Sequence, residues 1–283
     1  MNGSQKALRR PSRPLITLLT DFGISDHYVA AMKGVILQIC PEATLIDVSH
    51  LILRHSIEDG AYLLAQSTPY FPEGAIHLAV IDPQVGAERR RIAIKGKRSF
   101  YVGPDNGLLV PAAQAEGVLK AVSITNKDYM CKEVSSTFEG RDVFAPTAAF
   151  LASGLEIEKL GSRIGDLVQP AWSKPERSDD RVQGRIVHID SFGNIATNIP
   201  AALADQWRHR MTVEVKLGAM CKDAIFVQSY ADALELGLLV LVGSSGLVEI
   251  AVNRGSAQVV LDAKLGDTVR IVWNASQHDR RQQ

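Results

Sequence analysis

Residues 15–41 read LITLLTDFGISDHYVAAMKGVILQICP, and this stretch decides the fold. Residues 15–20 are a short, β-rich apolar run that ends at the polar turn Asp21-Phe22-Gly23. Asp26 then sits where a helix N-cap belongs, and Val29, Met32, Val35, Ile36 and Ile39 recur at helical spacing. Pro41 stops the helix. Strand, polar turn and helix in that order are the opening of an α/β sheet.

The same alternation continues outward. Residues 44–48 read as a strand, 56–66 as a helix, and 75–81 as a nearly continuous apolar strand of the kind covered on both faces. Residues 91–95 and 100–103 read as further strands, and 141–152 as a helix rich in Ala and Phe. This order predicts a mainly parallel sheet with helices on both faces, a Rossmann-like α/β domain over residues 14–168. Residues 167–183 are polar, contain two prolines and read as a linker. Beyond them short alternating strands dominate, at 212–216, 238–242, 247–252 and 268–273. A smaller domain over 182–275, a β-barrel or a sandwich, is expected there. The basic N-terminal residues 1–13 and the C-terminal QHDRRQQ read as solvated tails.

Composition narrows the function. The 283 residues are 46% hydrophobic and 22% charged, which suits a packed globular chain and rules out wholesale disorder. Lys+Arg and Asp+Glu are each 31, so no global basic field exists to hold nucleic acid or an anionic membrane. No apolar run approaches the ~20 residues of a membrane span. Cys40, Cys131 and Cys221 are odd in number and far apart, which argues against a disulfide framework or a metal knuckle and for a reducing cytoplasm. The seven histidines show no metal-ligand spacing, and His50 and His77 read as structural groups. The chain has no GxxxxGK[ST], GxGxxG, HExxH or GxSxG.

Polar residues crowd instead at the predicted strand ends, where ligands bind in open α/β sheets. The segments are Thr20-Asp21-Phe22-Gly23 with Asp26, Asp82-Pro83-Gln84-Val85-Gly86 with Arg89, and Pro104-Asp105-Asn106-Gly107. Further on come Phe138-Glu139-Gly140-Arg141-Asp142, Asp190-Ser191-Phe192-Gly193-Asn194 and Gly243-Ser244-Ser245-Gly246. Singly, each has a plain structural reading. Asp105-Asn106-Gly107 is good turn chemistry, Phe192-Gly193-Asn194 suits a hairpin, and two of Arg89-Arg90-Arg91 read as a solvated charge run.

In order, TDFG-x-x-D-x-Y-V-x-x-M-K-G-V-I, ID-V-S-H, DP-x-VG-x-x-R, PDNG, F-x-GRD-x-FAP and D-x-FGN-x-x-T-N form a set. That set resembles the S-adenosyl-L-methionine (SAM) hydroxide adenosyltransferases, relatives of the SAM-dependent fluorinases and chlorinases. The resemblance implies hydrolysis of SAM at C5′ to adenosine and L-methionine, with SAM as substrate and no cofactor. It implies a homotrimer with active sites between subunits.

By position, Asp21 would hold the ribose hydroxyls and Asp26 would lie near the methionine end. Phe192 would stack on adenine, Asn194 would bond its edge, and Asp190 would receive the methionine ammonium. Ser244 and Ser245 match the segment that holds the methionine carboxylate. Asp82 and Arg89 match two of three residues around the attacking water. The third departs from the pattern: Glu139 stands where the family reads histidine, and Gln84 replaces a usual glycine. Glu139 would accept a water proton if burial raises its pKa, or pair with Arg89 if it stays ionised. A halogenase, and a non-catalytic SAM or adenosine binder with Glu139 as the decayed position, are the rival expectations.

Overall fold

The computed structural model describes residues 13–172 and 174–273. The tails expected at 1–13 and 277–283 lie, Arg13 aside, outside the described residues. The chain separates between Ala171 and Trp172 into two compact units.

In the first unit β1 (Leu15–Thr20) leads through the TDFG turn into α1 (Tyr28–Ile39). β2 (Thr44–Ser49), α2 (Ile57–Ser67), β3 (Ile76–Val80), β4 (Arg91–Gly96) and β5 (Phe100–Pro104) follow. α3 (Val110–Glu116), β6 (Val118–Ser123) and α4 (Ala145–Ala152) complete it. The sheet order is β2-β1-β3-β5-β4-β6. The pairings among β2, β1, β3 and β5 are parallel, as expected. β4 runs antiparallel to β5 and β6. Only residues 97–99 separate β4 from β5, too short a connection for the crossover that a parallel pair needs.

The two-residue period of the strands sorts the core. Ile16, Leu18, Leu78, Val80 and Val102 join one cluster with Met32 and Ile36 of α1 and Ala148 and Ala149 of α4. Alternate residues serve the other face, where the buried Tyr101 hydroxyl donates to the Ala112 carbonyl of α3. His77, fully buried on β3, bonds Thr17 through Nδ1 at 2.8 Å. Burial, helped by Arg98, depresses its pKa to about 3, so it is a neutral structural group.

The expected helix at 141–152 starts late. Residues Gly140–Phe144 form a π-turn, and α4 begins at Ala145 with Pro146 in its first turn. Asp26 is not a helix cap: His27 holds the N-cap position of α1.

The second unit contains β7 (Glu176–Arg177), β8 (Arg181–Ile189), β9 (Ile195–Pro200), β10 (Met211–Leu217) and β11 (Met220–Phe226). β12 (Leu238–Val242), β13 (Leu247–Val252), the short α5 (Ala257–Leu261) and β14 (Thr268–Val272) follow. β8 pairs with β14, which closes strands β8 to β14 into a seven-stranded barrel with β7 appended. Closure leaves no unpaired edge in the ring. Val213, Val215 and Leu217 alternate inward from β10 onto Ile250, Ile271 and Trp273. The segment read as a linker therefore contains β7 and the start of β8. β7 pairs with the start of β8, and β8 in turn pairs with the distant β14, as in Val182↔Ile271, so local composition does not reveal them. Among the described residues no helix is long and apolar enough to cross a membrane.

Candidate active site

The loops at the carboxyl ends of β1 and β3 converge with the π-turn on a cavity of about 410 Å³. Its wall carries the four carboxylates Asp21, Asp26, Asp82 and Glu139, with Arg54 as its one cation. Phe22, Tyr28 and Phe138 supply aromatic surface, with Phe138 edge-on to the other two and Phe22 tilted against Tyr28, at centroid distances of 5.1 to 6.0 Å. Carboxylates and aromatic faces together favour a cationic ligand.

A chain of close polar contacts fixes the TDFG turn. Lys33 of α1 donates to Asp47 at 2.6 Å, Asp47 lies 3.0 Å from His50 Nε2, and His50 Nδ1 meets Thr20 Oγ1 at 2.8 Å. The Gly23 amide donates to the His50 carbonyl at 2.7 Å. Asp21 Oδ2 accepts the His55 amide at 2.8 Å, and His55 sits at φ 66°, in the left-handed region. A carboxylate has about four lone-pair positions, so Asp21 retains acceptor capacity toward the cavity. Asp26, released from capping, also faces the cavity.

The second wall is a buried row of charges. Arg89 donates Nε and Nη2 to Asp82 Oδ2 and Nη2 to Glu139 Oε2. Arg91 Nη2 donates to Glu139 Oε1 at 2.6 Å. The side chains of Asp82, Arg89 and Glu139 are only 5%, 5% and 3% exposed. Asp82 and Glu139 line the cavity; Arg89 is absent from its wall and clamps both. Burial alone would raise the Glu139 carboxyl, but the bonds from Arg91 and Arg89 outweigh it and hold the group below its ordinary value. Of the two readings of Glu139, the geometry selects the ionised, Arg-paired one. Asp82 Oδ1 and Arg89 Nη1 are buried without a hydrogen-bond partner among the described residues.

All three arginines of the run are paired, which corrects the expected solvated stretch. Arg90 turns the other way, to Asp105 and Asp166. The expected turn at 105–107 is present, with Gly107 at φ 98° and Asn106 donating to the Ile81 carbonyl at 2.8 Å. Gly86, at φ 81°, lets the Asp82–Arg89 loop lie on the segment before Glu139: an added Cβ would fall 2.5 Å from the Ser136 carbonyl oxygen.

In the barrel unit, residues 190–194 join β8 to β9 as the expected hairpin turn. Asp190 Oδ1 accepts the amides of Phe192 and Asn194 at 2.9 Å, and its Oδ2 accepts Asn194 Nδ2 at 2.9 Å. That leaves Phe192 77% exposed, an open stacking face beside a cavity of about 490 Å³ lined also by Asp190, Asn194, Tyr230 and Arg254. Ser244 and Ser245 lie on the separate β12–β13 turn and do not line this cavity. Arg54, His55 and Arg91 escaped sequence reasoning. The one available signal was the two-residue spacing that puts Arg91 on the side of Arg89. Among the described residues no group of three or more His, Cys, Asp or Glu side chains is placed to hold a metal.

An α/β unit with an acidic, aromatic-walled cavity at its strand ends, joined to a closed barrel, defines a two-domain ligand-binding class. The chain belongs to the SAM hydroxide adenosyltransferase family: the family's N-terminal domain matches residues 16–161 and its C-terminal domain residues 184–270. It is similar to the (R)-S-adenosyl-L-methionine hydrolase of Salinispora arenicola, 40% identical over 263 residues, 92% of this chain and 98% of that one. The protein of the same name from Methanocaldococcus jannaschii is 36% identical over 275 residues, covering 92% and 96%. The fluorinase of Nocardia brasiliensis is 28% identical over 293 residues, covering 92% and 97%. A solved structure of an uncharacterised conserved protein from Thermotoga maritima superposes with a TM-score of 0.86 at 36% identity, covering 91% and 99%.

Proposed function

We propose that this chain hydrolyses SAM to adenosine and L-methionine by attack of water at C5′. The observation that carries the reading is the acidic cavity wall with Asp82 aimed by Arg89 and one carboxylate oxygen free. SAM carries a sulfonium and an ammonium, both attracted by Asp21, Asp26, Asp82 and Glu139. Asp21 is the acceptor for the ribose diol, and Phe192, brought by the barrel unit of a neighbouring subunit, is the stacking face for adenine.

The water oxygen forms a bond to C5′ as the C5′–S bond breaks, and that electron pair leaves on sulfur as the neutral thioether of methionine. Asp82 Oδ1 accepts the water proton and passes it to solvent. Because the leaving group is already good, the protein's main tasks are alignment and exclusion of bulk water. Alignment alone can supply on the order of 7–11 kcal/mol. No cofactor is needed, and the chain works as a homotrimer in the cytoplasm.

A halide nucleophile suits this wall poorly, because Glu139 is held as an anion beside the reacting centre. The deciding experiment is incubation with SAM in ¹⁸O water, using the (R)-sulfonium epimer named for the relatives and then the (S). Label at the 5′ oxygen of adenosine is expected. SAM binding without turnover would make the chain a binder, and 5′-halogenated nucleoside in halide buffer would make it a halogenase. Glu139→His is expected to retain adenosine release, and Glu139→Gln to slow it about 10-fold through weaker bonds to both arginines. Wild type and Glu139→His both inert on SAM would defeat the assignment.

A further inference from the structure

Arg89, Arg90 and Arg91 approach and enter β4 as a run of three cations, and the extended backbone divides them. Arg90 faces Asp105 and Asp166, whereas Arg89 and Arg91 face Glu139. Arg89 is thereby shared between two buried carboxylates, Asp82 and Glu139, an arrangement one negative charge in excess. Arg91, with its side chain 34% exposed, supplies the balancing charge from the solvent side. Without it Glu139 Oε1 would be a buried acceptor with no donor, which is costly.

We propose that Arg91 is a positioning residue for the hydrolysis: by clamping Glu139 Oε1 it holds that carboxylate against Arg89, so that Arg89 keeps Asp82 aimed at the water. The inference rests on the hydrolytic reading above. Arg91 acts through Glu139 and Arg89 and does not line the cavity. With Arg91 removed, only Arg89 opposes the burial of Glu139, and the carboxyl takes up a proton at higher pH. A protonated Glu139 would present a donor to Arg89 and release it from this geometry.

The other charged groups near Glu139 are accounted for. Asp82 lies across Arg89, and Asp21, Asp26, Arg54 and the titratable His55 stand on the same cavity wall. Arg141 and Asp142, in the same π-turn, pair with each other. Lys33 on α1 is paired with Asp47.

The test compares wild type, Arg91→Gln and Arg91→Lys for adenosine release across pH. Arg91→Gln should lower kcat about 10-fold, the worth of a charged hydrogen bond. KM should change less than about two-fold, as for an interaction that acts on the chemical step. The acid limb of the pH–rate profile should move up by about one unit. Arg91→Lys should restore part of both, since it keeps the charge but loses the planar donor geometry. A second readout needs no turnover: the ¹³C resonance of the Glu139 carboxyl, identified by its loss in Glu139→Gln, should titrate at higher pH in Arg91→Gln. An unmoved acid limb with an unmoved carboxyl titration overturns the clamp, as does a defect confined to KM. A wild type silent on SAM defeats the hydrolytic reading alone, because the carboxyl titration still decides the clamp.

Discussion

Asp82→Asn lowers kcat for adenosine release about 10²–10⁴-fold, the usual contribution of a positioned proton acceptor. Asparagine keeps the size of the side chain and one carbonyl-type oxygen for Arg89, so the fold should survive. It cannot take the proton that Asp82 Oδ1 is free to accept. KM for SAM should rise only modestly, because Asp21, Asp26 and Glu139 still present negative charge to the sulfonium. Steady-state kinetics with chromatographic detection of adenosine gives the answer. A variant within a few-fold of wild type would move the proton-accepting role away from Asp82.

Arg89→Leu is the change with the largest expected cost in stability. It strands Asp82, 5% exposed, and leaves Glu139, 3% exposed, with Arg91 alone, so that two neighbouring buried anions share one cation. Breaking such a row by removing one partner costs about 3–5 kcal/mol. The effect has a definite pH dependence. The folded-state pKa of Glu139 lies below its ordinary value, so its paired form stabilises the protein above the unfolded pKa of about 4.3. That contribution is lost as pH falls through the lower folded value. The gap between wild type and Arg89→Leu should be widest at neutral pH and already narrower at pH 4, because the variant's Glu139, buried with one cation fewer, takes up its proton at higher pH than in the wild type. Urea unfolding at pH 7 and pH 4 measures it. An equal gap at both would show that the row contributes packing rather than charge.

Much of the fold is legible in local pattern. β1, β12 and β13 occupy residues 15–20, 238–242 and 247–252, where apolar runs marked them. β11 was missed because Cys221, Lys222 and Asp223 are exposed in succession and break the apolar alternation, and its strand character comes from pairing with β10 rather than from its own composition. β8 and β9 were left unassigned although the hairpin turn between them was read correctly, and the start of β8 fell in the segment read as a linker. The site divides in the same way. Asp21, Asp26, Asp82 and Glu139 could be singled out as polar residues crowded at strand ends, and the cavity gathers all four. Arg54 and His55 carried no pattern of their own; they reach the cavity because the Asp21 carboxylate holds the His55 amide from 34 residues away.

From the residues alone came the α/β character of the first unit, the β-rich character of the second and the family, because side-chain period, turn chemistry and motif order are properties of the chain taken locally. The state of Glu139 was not among them. Whether it stays ionised depends on two guanidiniums 48 and 50 residues distant, and only folding places them within hydrogen-bond reach. Electrostatic energy follows separation in space, and in a buried row it outweighs whatever the identity of one side chain suggests.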